Sequence, residues 1–95
     1  MRIISRKALN DFAEKHPNTR SALADWYVKM KVASFHSLVE ARSVFPTADA
    51  VGKLTIFNVG GNTVRLVTAI HYNRGRVYIR AVLTHAEYER GAWKE

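Results

Sequence analysis

The 95-residue chain has no cysteine, which excludes a disulfide framework and any thiolate metal site and fits a reducing cytosol. Long hydrophobic runs are also missing. No apolar stretch approaches the ~18 residues of a membrane span, and Met1–Ser5 offers only two consecutive apolar residues after Arg2, far short of a signal peptide. The chain is therefore expected to be soluble and cytoplasmic, with no membrane partner. The histidines, His16, His36, His71 and His85, lack metal-ligand spacing and no HExxH occurs, so no metal or cofactor is expected. No internal repeat, linker or low-complexity tract interrupts the chain, and its length suits one domain over residues 1–95.

Acidic residues are absent from one whole segment. Residues 51–80 carry Lys53, Arg65, Arg74, Arg76 and Arg80 and no Asp or Glu, while residues 1–50 carry eight Lys/Arg against five Asp/Glu. The net charge is +7. A cationic segment without anions cannot neutralise itself, so it projects a positive field that attracts polyanions. With 47% hydrophobic residues the chain is expected to fold.

Periodicity divides the sequence into a helical half and a sheet half, an α+β arrangement. Met1–Ile4 reads as a short strand. With Ser5 as N-cap, Ala8, Leu9, Phe12 and Ala13 recur at helical spacing as far as Lys15, and Pro17 ends the pattern. A second helix begins near Asn18 or Thr19 and carries Ala22, Leu23, Trp26, Tyr27, Met30 and Ala33 on one stripe, read as core packing. Ser37–Val44 predicts a short third helix with Leu38, Ala41 and Phe45 inward, and residues 46–49 a turn. From Leu54 the alternation has period two. Leu54–Val59, Thr63–Tyr72 and Arg76–Thr84 predict an antiparallel meander joined at Gly60-Gly61 and Asn73-Arg74-Gly75.

Side chains alternate across a strand. Val64, Leu66, Thr68, Ile70 and Tyr72 share one face, as do Val77, Ile79, Ala81 and Leu83. Arg65, Val67, Ala69 and His71 share the other, with Arg76, Tyr78, Arg80, Val82 and Thr84. A register pairing Tyr72 with Val77, Ala69 with Arg80 and Arg65 with Thr84 aligns both apolar rows and both arginine rows. An odd-length loop would bury an arginine without a partner. Arg65 and Arg80 are thus expected on the open face, exposed, near His71, Tyr78 and Arg76. A basic face carrying an aromatic ring and no carboxylate suits phosphate contacts and base stacking. A polar outer face is also what any open antiparallel sheet needs.

Phe57-Asn58-Val59-Gly60-Gly61-Asn62 followed by Arg65-Leu66-Val67, and Tyr78-Ile79-Arg80 leading to Thr84-His85-Ala86-Glu87-Tyr88, resemble the signature motifs of the HigB toxin family. Lys7-Ala8-Leu9 with His16-Pro17, and Val44-Phe45-Pro46 with Ala48-Asp49, extend that resemblance over nearly the whole chain. Two departures stand out: Glu89 follows Tyr88 where the family has aspartate, and Phe35 stands in place of tryptophan. The resemblance implies a RelE-like fold, with two N-terminal helices on a small, mostly antiparallel sheet. It also implies mRNA cleavage, commonly on the translating ribosome, and a cognate HigA-type antitoxin with a helix-turn-helix domain.

RNA can be cut by its own 2′-OH, provided a group takes that proton, cations neutralise the phosphorane and an acid protonates the departing 5′ oxygen. Arg65 and Arg80 suit the second task, because guanidinium grips phosphate in fork geometry. His85 suits acid–base work, since imidazole exchanges protons near neutrality. Tyr88 suits proton donation or base stacking, and Lys53 is a weaker base. Asn62, Arg74, Arg76 and Tyr78 complete the expected RNA-contacting set with Lys53. The same basic face would serve a non-catalytic RNA- or ribosome-binding module. A DNA-binding regulator lacks support, since no helix reads as a recognition helix.

Overall fold

A computed structural model describes residues 1–61 and 63–94. Strand β1 (Arg2–Ile4) leads into α1 (Arg6–Lys15), a 3-10 turn at Pro17–Thr19, α2 (Arg20–Val32) and a short α3 (Leu38–Ala41). Strands β2 (Asp49–Val51), β3 (Leu54–Val59), β4 (Val64–His71) and β5 (Arg76–Thr84) follow, and α4 (His85–Arg90) comes last. The sheet order is β1-β5-β4-β3-β2, with β1 parallel to β5 and the remaining pairs antiparallel. This is the α+β, RelE-like arrangement of N-terminal helices on a mostly antiparallel sheet. No helix among the described residues is long and apolar enough to cross a membrane.

The helical stripes become core as their spacing predicts. Leu9, Phe12 and Ala13 of α1 and Leu23, Trp26 and Met30 of α2 are buried against Phe57, Val59, Val64, Leu66, Val77 and Ile79 of the sheet. Trp26, Phe45 and Phe57 form an aromatic knot, with Phe57 edge-on to both Trp26 (5.5 Å) and Phe45 (5.1 Å). Such edge-to-face pairs add specific geometry to the area they bury. Gly60 and Gly61, both with positive φ (64° and 58°), turn β3 towards β4 where a side chain would be strained. Ser5 occupies the N-cap of α1 but in the left-handed region (φ 76°) and with no side-chain cap, so it marks a bend and caps nothing.

Three expectations are corrected. The turn expected over residues 46–49 forms at Pro46 and Thr47, but Asp49 already belongs to a strand, Asp49–Val51; three residues on the sheet edge are too few to show alternation. The third helix shrinks to Leu38–Ala41, capped by Ser37, whose hydroxyl accepts from the Glu40 amide. The β4–β5 register also differs. Tyr72–Arg74 forms a 3-10 turn closed by Gly75 at φ 63°, so His71 pairs with Arg76, Ile70 with Val77 and Ala69 with Tyr78.

A bulge then shifts the ladder. Thr68 pairs with Ile79 but Val67 pairs with Ala81, leaving Arg80 as the extra residue. Beyond it Arg65 lies opposite Leu83, not Thr84. The bulge inverts the facing of the end of β5: Val82 packs under the helices, while Ala81 and Leu83 join Leu54, Ile56 and Val67 on the far face.

Phe57 is 1% exposed at the centre of the aromatic knot. Phe57→Ala is expected to lower unfolding free energy by about 3–5 kcal/mol, because a ring-sized cavity opens between packed layers. Urea denaturation followed by far-UV circular dichroism measures it.

Candidate active site

The far face of the sheet is partly closed. Residues 85–94 fold back across it, and Tyr88 and Trp93 pack on Leu54, Ile56, Val67, Ala81 and Leu83. Helix α4 starts where it does because Thr84 and Glu87 form a capping box. The Glu87 amide donates to the Thr84 hydroxyl (3.2 Å), and the Thr84 amide donates to the Glu87 carboxylate (2.9 Å). The hydrogen bond from the Thr84 amide, then that from its hydroxyl, hold the Glu87 carboxyl below the usual carboxylate range.

Under this closure lies Arg65, which corrects the expectation of an exposed arginine on an open face. It is on the predicted face but only 8% exposed. One terminal nitrogen (Nη2) lies 3.2 Å from His85 Nδ1; the other (Nη1) is buried with no hydrogen-bond partner. Guanidinium has five N–H donors and no acceptor. His85 Nδ1 therefore accepts, and the ring proton of a neutral His85 resides on Nε2. Nε2 faces Glu89 Oε1 at 3.0 Å, one helical turn on. The guanidinium also rests 5.4 Å from the centre of the Tyr88 ring. Tyr88 stacks on Trp93 (4.7 Å, 13°), and the Trp93 indole N–H donates to the Tyr88 carbonyl at 2.8 Å.

A cavity of about 220 Å³ opens beside this cluster, lined by Thr47, Asp49, Ile56, Asn58, Arg65 and Tyr88. No ion pair to the guanidinium exists among the described residues; Asp49 instead pairs with Arg42 at 3.5 Å. Arg65 thus combines a buried, unpaired N–H with a place in the cavity lining, and guanidinium donors suit anions.

Of the residues marked by sequence, Arg65, His85 and Tyr88 come together. Arg80 sits exposed on the bulge, three residues along β5 from the Leu83 that faces Arg65, ~10 Å at ~3.3 Å per residue. Lys53 lines a separate depression with Trp93 and Lys94. Arg74 and Arg76 lie at the β4–β5 turn. Arg76 pairs with His71, six residues and ~20 Å along β4 from Arg65. Tyr78 is nearer, opposite Ala69, and meets His71 edge-on at 5.0 Å. Asn62 lies outside the described residues. Sequence reasoning noted Glu89 and Asn58 without giving either a role, and missed Trp93. The His85–Glu89 spacing of four and the Thr84-x-x-Glu87 box were the available signals, whereas nothing local marks Trp93.

Comparison with known proteins identifies the family. Residues 19–91 match the family model described as HigB_toxin, the RelE-like toxic component of a toxin–antitoxin system. The mRNA interferase toxin HigB of Escherichia coli strain K12 is 36% identical over 92 residues, covering 94% of this chain and 88% of the relative. The mRNA interferase HigB of Shigella flexneri matches equally well. Its counterpart in Escherichia coli O6:H1 is 32% identical over 93 residues, or 95% and 90% of the two chains.

Burying a cation without a counter-charge destabilises a fold, and apolar replacements of buried charges are often neutral or stabilising. Arg65→Met is therefore expected to leave the melting temperature unchanged or raise it. Inorganic phosphate is expected to raise the melting temperature of the parent and not of Arg65→Met, read by differential scanning fluorimetry.

The capping box also fixes a pH dependence. The lowered Glu87 pKa means its stabilisation of α4 is complete above the ordinary carboxylate range and is lost as pH falls through the folded-state value. Protection of the residue 85–90 amides against hydrogen exchange, taken relative to the intrinsic rate at each pH, is expected to fall on acidification, and Glu87→Gln is expected to remove that dependence.

Proposed function

The chain belongs to the HigB family of RelE-like toxins, and on that basis we propose that its Arg65–His85–Glu89 cluster cleaves RNA by 2′-OH attack on the adjacent phosphate. The chain is an mRNA interferase, an endoribonuclease forming the toxic half of a toxin–antitoxin pair, with mRNA as substrate and an antitoxin as partner. The observation that carries the mechanism is Arg65, which lines the cavity and keeps a buried donor, Nη1, without an acceptor among the described residues.

A phosphate entering the cavity takes the unused Nη1–H and competes for the Nη2–H now given to His85. That exchange frees the lone pair of His85 Nδ1, which then removes the 2′-OH proton. Glu89, on Nε2, holds the ring's orientation and stabilises the imidazolium that forms, as a carboxylate behind a histidine base does. Glu89 is thus a positioning residue. The 2′ oxygen bonds to phosphorus and the bond from phosphorus to the 5′ oxygen breaks, leaving a 2′,3′-cyclic phosphate and a 5′-hydroxyl. Arg65 stabilises the phosphorane, with Arg80 adding charge from the bulge. The Tyr88 hydroxyl supplies the proton to the leaving oxygen, and its ring braces Arg65. No metal or cofactor enters this scheme.

We further infer that the enzyme acts in the cytoplasm on the translating ribosome. Arg2, which pairs with Arg76 across β1 and β5, joins Arg74 in a cationic end far from the cleft. That end suits a second RNA surface. A HigA-type helix-turn-helix antitoxin is the partner that this reading expects.

Induced expression is expected to arrest growth and cut mRNA. His85→Ala is expected to lower single-turnover cleavage ~100- to 10,000-fold with little change in binding. Glu89→Gln is expected to lower it by less. Measuring both steps on purified variants separates the roles. A His85→Ala protein that binds more weakly but cleaves at the parental rate once saturated would make His85 a contact residue and the protein's chemistry someone else's, Tyr88 or Lys53.

A further inference from the structure

Beside the phosphate cavity lies a second depression of about 490 Å³, lined by Val51, Gly52, Lys53, Leu54, Trp93 and Lys94. We propose that it is a nucleobase subsite that receives the base of the nucleotide next to the cleaved phosphate. The assignment rests on the reading of the Arg65 cavity as the phosphate site and extends it by one residue of substrate.

Three observations carry it. The first is continuity. Leu54 in this depression and Ile56 and Asn58 in the phosphate cavity are alternate residues of β3 on one face. The two openings therefore adjoin along a single strand, separated by the Tyr88–Trp93 stack. With Tyr88 5.4 Å from the Arg65 guanidinium and 4.7 Å from Trp93, the indole lies within about 10 Å of the anion site. That is the reach of one extended nucleotide.

The second is the chemistry of the lining. Val51 and Leu54 give an apolar floor and Trp93 an aromatic wall, which every base can stack on whatever its identity. The third is charge. Lys53 and Lys94 flank the opening, with Lys94 Nζ 5.7 Å from the centre of the indole. Two cations beside an aromatic ring fit a base that brings its phosphate with it. This gives Lys53 a role in binding, remote from the His85 proton transfer.

Two tryptophans make the test direct, since Trp26 is buried (2% exposed) and shielded from ligand. Adenosine 3′-monophosphate and a non-cleavable 2′-O-methyl trinucleotide are expected to quench the emission of the parent, and neither is expected to quench Trp93→Leu. In cleavage assays, Trp93→Leu is expected to raise KM on the order of 5- to 100-fold, the range of one base–aromatic stack, with kcat within about twofold. Trp93→Phe is expected to restore most of the lost affinity. Lys53→Glu, which leaves the Tyr88–Trp93 stack intact, is expected to raise KM without lowering kcat.

Emission insensitive to both ligands, or a Lys53→Glu protein with parental KM, would overturn the subsite. So would a Trp93→Leu protein that loses kcat at unchanged KM, which would make the indole only a brace for Tyr88. Loss of cleavage in His85→Ala alongside parental behaviour of all Trp93 and Lys53 variants would sink the subsite alone. An Arg65→Met protein that still binds phosphate and cleaves like the parent would sink the reading beneath it.

Discussion

A guanidinium taken out of water without a counter-charge organises this protein. Arg65 is buried on β4 with one donor given to a histidine and another given to nothing. Desolvation penalises such an ion by several kcal/mol unless a partner repays it. The fold supplies no carboxylate within ion-pair distance of it among the described residues. The pairing of Asp49 with Arg42 keeps a nearby acid engaged elsewhere. Packing of Trp26, Phe45 and Phe57 on the opposite side of the sheet provides stability that an unsatisfied cation draws on.

Burial of that cation depends on α4. Without the helix and its Tyr88, which rests on the guanidinium, the face bearing Arg65 would be open and its arginine solvated, and a hydrated guanidinium grips phosphate weakly. The capping box at Thr84–Glu87 starts α4 at the end of β5. One turn then delivers Tyr88 over Arg65 and Glu89 behind His85. The bulge at Arg80 matters for the same reason. By shifting the ladder one residue, it puts Leu83 opposite Arg65 and turns Ala81 and Leu83 to the face where Tyr88 and Trp93 pack. On the proposed mechanism, substrate meets a half-closed cleft whose buried guanidinium is little hydrated.

Much of this was legible in the residues. The stripes of α1 and α2, the meander from Leu54 and the face of Arg65 follow from spacing alone, because burial enforces period. Of the residues expected to do chemistry, Arg65, His85 and Tyr88 gather into one cluster, while Arg80 stands apart on the bulge. What escaped was long-range. A bulge depends on how two strands settle against each other, so Leu83 and Val82 could not be assigned to faces from alternation. Arg65 reads as exposed because alternation tells which face a side chain takes, not what later covers it. Trp93, near the end of the chain, belongs to no period and shows its role only when it folds back on Tyr88. Arg74 and Arg76 share a charge segment with Arg65 yet stand at the other end of the strand, since charge along a sequence says nothing of distance.

The proposed mechanism requires the exchange of one hydrogen bond, in which phosphate takes from His85 the donor that Arg65 now gives it. Nitrogen-15 NMR of the His85 ring reads it directly. In the free protein the neutral ring is predicted to carry its proton on Nε2, with Nδ1 showing the signature of a hydrogen-bonded, unprotonated nitrogen. Adding a non-cleavable 2′-O-methyl oligonucleotide is predicted to shift Nδ1 towards a free lone pair while Nε2 keeps its proton on the Glu89 side. A free-state ring protonated on Nδ1, or an Nδ1 resonance unmoved by saturating oligonucleotide, would contradict it.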